Sequence, residues 1–200
     1  DPNDTALLEM IDGHIGNLVE ALRTNNPERA AFEAAWMAHA ITDGLTPAHH
    51  FPLEQAMAEL RGGEGLETRT SILKKNLMKG DNGIELIKNN WKFWGAKGMM
   101  TTHVAFEAGV ASVVAYPRFK DAIPSDDEIS QVKNHGYREY YLDQVHAVAS
   151  MKMYDNFSKS GWTTELAWQT NHELMPIIIK SVMLGWLASI WKLEAEKSES

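Results

Sequence analysis

The chain has 200 residues and a mass of 22.4 kDa, with 44% hydrophobic, 23% charged and 9% aromatic residues. That is the make-up of one folded core, and it excludes a disordered, collagenous or low-complexity chain. Nineteen basic against 27 acidic residues leave a net charge of −8, so wrapping of nucleic acid is not expected. The lack of cysteine removes disulfides, thiolate metal ligands and a cysteine nucleophile together.

The opening Asp1-Pro2-Asn3-Asp4 does not have the charged-then-apolar pattern of a leader. From Thr5 to Arg23, Leu7, Leu8, Ile11, Ile15, Leu18, Val19 and Leu22 recur at spacings of three and four, which predicts an amphipathic helix. Thr24-Asn25-Asn26 ends it. Asn26 is placed to cap a second helix over Glu28 to Ile41, with Pro27 at its start, antiparallel to the first. Asp43-Gly44-Leu45-Thr46-Pro47 breaks the pattern, Pro52 opens a third helix through Leu60, and Arg61-Gly62-Gly63-Glu64-Gly65 is a flexible connector. A basic amphipathic piece follows, up to a break at Gly80-Asp81-Asn82-Gly83. Gly98 to Tyr116 reads as one helix closed by Pro117, and Ser125-Asp126-Asp127-Glu128 has the capping-box order for a short one. Tyr137 to Phe157 and Thr163 to Lys197 complete the series, the last kinked near Pro176.

No run alternates with period two, so the expected fold is all-α, a single-domain multi-helix bundle over residues 1–200. Leu174 to Trp191 is long enough to cross a membrane, but Pro176, Lys180, Ser181 and Ser189 favour a buried terminal helix over a transmembrane segment. The same helix offers a surface on which the chain could form a homo-oligomer.

Chemistry is suggested by the eight histidines. On a helix, two ligands four residues apart meet one ion. His39 with Asp43, His50 with Glu54, His103 with Glu107 and His135 with Glu139 all have this spacing, where chance predicts about one such pair. Around His39 the ligands are dense. His39 and Asp43 share one face at the end of an alanine-rich helix, where an unpaired imidazole and carboxylate would be costly to desolvate. Pro47 can then fold His49 or His50 back toward that helix end as a third ligand. His103 and Glu107 lie among small and apolar residues. His14 precedes the turn at Asn25 by 11 residues and His39 follows it by 14, so an antiparallel hairpin brings the two to similar depth, where they could share an ion.

The run Trp36…His39-x-x-x-Asp43…Pro47-x-His49, followed by His103-x-x-x-Glu107, resembles the zinc-dependent phospholipase C and single-strand-specific zinc nuclease superfamily. The resemblance implies an all-α bundle of the zinc phospholipase C type, a cofactor of two or three zinc ions, and hydrolysis of a phosphodiester or phosphomonoester. The substrate would be a small phosphoester or a phospholipid head group, and the enzyme would be secreted or periplasmic. By the same resemblance, His39 ligates one zinc and Asp43 bridges to its neighbour as the catalytic carboxylate, while His49, His103 and Glu107 hold another. His14 corresponds to the family's early histidine in order and helix position. Matching motifs cover roughly residues 14 to 110, and the long stretch from His49 to His103 implies an inserted helical segment over 51–97. Ligands the motifs do not supply are sought at His135, Glu139, Asp143 and His146.

Two other classes fit less well. A ferritin-like di-iron bundle needs Glu-x-x-His on facing helices, and Gly62-Gly63-Glu64-Gly65 has neither a preceding strand nor the lysine and hydroxyl of a phosphate loop. The alternative retained is a non-catalytic helical metal-binding or interaction protein with a partial site. Trp91, Trp94, Trp162, Tyr137, Tyr140 and Tyr141 either line an acyl or base pocket or belong to the core.

Overall fold

The computed structural model describes residues 5–115, 119–120 and 122–198, and among these every regular element is helical. Helices α1 (Ala6–Arg23) and α2 (Pro27–Gly44) form the expected antiparallel hairpin. Asn26 caps α2, its side chain accepting the Arg29 N–H at 3.0 Å, and Pro27 fills the first turn, where its missing N–H costs nothing. The helix continues past Ile41 to Gly44, three residues beyond the predicted end. Gly44 is required there by close approach, because a Cβ would collide with the Tyr141 hydroxyl and with Leu7.

A 3₁₀ turn over Pro47–His50 leads to α3 (Leu53–Leu60), α4 (Ile72–Asn76), α5 (Gly83–Trp94) and α6 (Met99–Val114). The proposed helix end at Tyr116 and its closing Pro117 lie outside the described residues. The capping box forms as expected: Ser125 accepts the Glu128 N–H, Glu128 accepts the Ser125 N–H, and α7 runs over Asp126–His135.

One expectation needs correction and another is met. Tyr137 to Phe157 is not one helix, because Lys152 adopts a left-handed conformation (φ 51°) and separates α8 (Tyr137–Met151) from α9 (Met153–Ser160). The break turns Met153 and Tyr154 into the core. Thr163 to Lys197 comprises α10 (Thr164–Gln169), a π-helical turn over Thr170–Leu174 and α11 (Met175–Ser198). The irregularity therefore precedes Pro176, where a wide turn accommodates a residue that cannot donate to the ladder.

Ile11 and Leu18 of α1, Met37 and Ile41 of α2, Phe106 of α6, Tyr140 and Tyr141 of α8 and Leu184 of α11 meet in one core. Each large aliphatic side chain so buried contributes about 1.5–3 kcal/mol. Tyr137 donates to the Ser181 carbonyl at 2.8 Å and Tyr141 to that of Ile41 at 3.3 Å, tying α8 to α11 and α2. These three tyrosines are core residues. Thr164–Ser198 is long and apolar enough to cross a membrane, with a window of mean hydropathy 1.7, a third of it buried. Its buried residues Ile178, Ser181, Leu184, Gly185 and Ser189 recur at helical spacing, and the helix packs on α1, α2 and α8.

The segment from α3 to α5 builds a separate small core from Met57, Met78 and Phe93, with Leu53, Leu60, Met99 and Met100 packed around it. Arg61 threads this segment, donating to the carbonyls of Lys74 and Leu77. Through α5 and α6 the segment joins the main bundle.

Candidate metal centre

The centre forms where the end of α2, the 3₁₀ turn and the first half of α6 converge. Pro47 redirects the chain, and the tight turn brings both following imidazoles back over the last carbonyls of α2. His49 Nδ1 lies 3.0 Å from the Asp43 carbonyl, and His50 Nε2 lies 2.9 Å from that of Gly44. Helix ends leave carbonyls short of partners; that of Asp43 also accepts the Thr46 N–H, and His50 serves that of Gly44. The two histidines nevertheless end in different places. His49 stacks on His103 with ring centroids 5.3 Å apart and planes within 11°, whereas His50 faces the grooves beside α8.

His103 and Phe106 are the buried residues of α6, and Glu107 lies one turn after His103. His103 Nε2 is 3.1 Å from Glu107 Oε1, and His49 Nε2 is 3.4 Å from the same oxygen. The three residues present ligand atoms that all lie within 4.8 Å of one another. Ligand atoms about 2.0–2.2 Å from a tetrahedral zinc stand roughly 3.3–3.6 Å apart, so the His49 and Glu107 atoms already have the spacing of a shared ion.

A carbonyl only accepts, so His49 Nδ1 donates to that of Asp43, and Nε2 is the nitrogen that faces the Glu107 carboxylate. A ring whose second nitrogen donates to a backbone carbonyl is also how metal-bound histidines are oriented. The donor set of two imidazoles and one carboxylate suits zinc and leaves a fourth position open.

Asp43 stands beside this group. Its Oδ1 is 3.8 Å from His49 Nδ1 and its Oδ2 is 3.3 Å from His39 Nε2. Trp36 packs edge-on against the His39 ring, with centroids 5.5 Å apart. Asp43 thus links the His39 pair to the His49 group, and the five residues of the two sequence motifs converge on one end of α2.

Comparisons with family models, with curated proteins and with solved structures give no match.

His14 is placed elsewhere. It lies against Glu33, Nδ1 to Oε2 at 2.5 Å, within the α1–α2 hairpin. Glu33 is fully buried, and Arg29 forms an ion pair with its other oxygen. Burial opposes ionisation of Glu33, but the His14 hydrogen bond, the charges of Arg29 and His14 and a bond from Asn17 outweigh it and hold the carboxyl below its usual range. Of the further residues considered from sequence, His135 and Glu139 are exposed, and Asp143 accepts from Gln131 at 3.1 Å.

A groove of about 670 Å³ opens next to the centre. It is lined by the polar Asp43, His49, His50, His146 and Arg138 and by the apolar Leu7, Leu8, Leu142 and Val145. Arg138 is held by Asp12 at 3.0 Å. Tyr154 lies behind His103, ring centroids 6.4 Å apart, and burial followed by the charge of Glu107 raises its hydroxyl pKa. Neither Arg138 nor Tyr154 was legible as a site residue: Arg138 belongs to no pair of ligand spacing, and Tyr154 comes from beyond the unforeseen break at Lys152.

Proposed function

We propose that the chain is a zinc-dependent phosphoester hydrolase, and that its all-helical architecture is of the zinc phospholipase C type with 51–97 as an insertion. The observation that carries this reading is the convergence of His49, His103 and Glu107 within 4.8 Å, from elements more than fifty residues apart, with Asp43 and His39 alongside. His49, His103 and Glu107 would hold one zinc. Asp43 and His39, 3.3 Å apart, would be the donors toward a second ion. When bound, zinc supplies Lewis acidity and an activated water at neutral pH.

The chain's own residues then orient the reaction. The His49 bond to the Asp43 carbonyl fixes its ring, and the burial of His103 fixes the other. Asp43, with its second oxygen turned to His39, would orient the attacking water. The groove offers a phosphoester the polar groups of Asp43 and His49 together with the apolar side chains of Leu7, Leu8, Leu142 and Val145, which suits a substrate with a hydrocarbon part.

A second reading is a non-catalytic metal-binding protein with a partial site. It is favoured by the engagement of His14 with Glu33, which leaves one group of three donors among the described residues. Elemental analysis of protein purified without chelator, together with hydrolysis of bis(p-nitrophenyl) phosphate, tests both. Two or more zinc ions with hydrolysis that disappears in His103→Ala supports the hydrolase. One zinc without hydrolysis supports the second reading, and no zinc uptake removes both.

A further inference from the structure

The segment 71–97 presents a face that the rest of the molecule leaves uncovered. On α5, Ile84, Ile87, Trp91 and Trp94 follow steps of three and four and all point outward, Ile84 81% and Trp91 71% exposed. The opposite side of α5 is polar as well as packed. Phe93 is buried there, the Asn89 amide donates to the carbonyls of Leu60 and Lys79, and Asn90 exchanges two hydrogen bonds with the Met78 backbone. A helix of a soluble core turns its apolar stripe inward, and α5 does the reverse. The pattern extends to α4, where Ile72 is 82% exposed and Leu73 is open too. Trp94 Nε1 donates to the Asn76 carbonyl at 2.7 Å and joins the two helices.

Charge selects the partner. Lys74, Lys75, Lys79, Lys88, Lys92 and Lys97 are all exposed, against Asp81 and Glu85 alone. The segment therefore carries +4 in a chain of net −8, which leaves −12 for the remainder. Lys79 pairs with Glu64, and among the described residues the other five lysines make no ion pair. Isoleucine, leucine and tryptophan interleaved with lysine is the composition of helices that lie in the interfacial layer of a bilayer, apolar side chains among the acyl chains and ammonium groups at the phosphates. Nucleic acid would use the lysines but not the aliphatic residues.

We propose that α4 and α5 form a docking surface for an anionic lipid bilayer. The proposal rests on these two helices and is independent of the metal centre. The test uses the full chain in flotation with phosphatidylcholine vesicles, with and without about 30% phosphatidylglycerol. Partition onto the anionic vesicles alone, weakened by salt, is the expected result. The double variant Ile87→Ser/Trp91→Ser, whose positions are exposed, should reduce it at least about tenfold with an unchanged melting curve. His103→Ala should bind vesicles as the unaltered chain does, which separates docking from any failure of the hydrolase reading. Absence of partition, or equal partition by the double variant, overturns the proposal. So does a self-association that the double variant abolishes while vesicles are ignored, or preferential binding of a single-stranded oligonucleotide.

Discussion

His14 Nδ1 and Glu33 Oε2 lie 2.5 Å apart, on neighbouring helices and 19 residues apart in the chain. This contact, with Arg29 on the second oxygen, is what makes a fully buried carboxylate tolerable in the α1–α2 hairpin. Because the folded pKa of Glu33 is lowered, its stabilising contribution is complete above the unfolded value of about 4.3 and is lost as pH falls through the folded one. Urea unfolding should therefore show stability falling in acid below about pH 4.3. Glu33→Gln should cost about 1–3 kcal/mol at neutral pH and flatten that acid limb, and an unchanged limb would assign the acid sensitivity to other carboxylates.

His49 and His50 are adjacent but differ in surroundings. His49→Ala should lower zinc affinity by at least about tenfold, since it removes one of three donors. His50→Ala removes only the cover on the Gly44 carbonyl and should cost about 1 kcal/mol of stability with metal uptake intact. Isothermal titration with zinc of the two variants distinguishes them, and a larger loss at His50 would reverse the assignment.

Burial pushes the Tyr140 hydroxyl up to about 12, and those of Tyr137 and Tyr141 well above their usual range. Tyrosines that stay neutral in the fold but ionise in the unfolded chain stabilise fully below about pH 10 and progressively less above it. Absorbance at the tyrosinate band should thus rise by less than five tyrosines before the protein unfolds, and the remainder should appear together with the loss of helical circular dichroism.

Gly44→Ala places a methyl group against the Tyr141 hydroxyl and Leu7. Overpacking at such a site costs about 1–3 kcal/mol. As Asp43 precedes it directly, the variant should also weaken zinc binding. A variant as stable as the parent, with the same metal affinity, would show that the helix end can shift without consequence.

The hairpin and the cap of α7 were readable because Asn26-Pro27 and Ser125-x-x-Glu128 act locally, within one turn of helix. The pairs His39–Asp43 and His103–Glu107 were readable for the same reason, as a spacing of four fixes which side chains share a face. Which of His49 and His50 meets His103 is set by a 3₁₀ turn, and no periodicity reports on it; only the family resemblance favoured His49. The break at Lys152 left no mark, since a lysine in the left-handed region is rare and nothing beside it announces a turn. Glu33 was overlooked because, on an alanine-rich helix, a glutamate reads as solvent-facing. The outward stripe of α5 shows a further limit: amphipathicity identifies two faces but not which of them the fold covers.

His49 and His103 bracket the segment from α3 to α5. An ion gripped by both would act as a non-covalent cross-link, closing a loop of about fifty residues whose closure costs the unfolded chain about 4 kcal/mol of conformational entropy. Both ends of the excursion over 51–97 would then be pinned by one atom. Chelation should loosen the excursion and speed proteolysis at its exposed Gly62-Gly63 turn, so that metal availability would govern how firmly this arm is attached to the body of the protein.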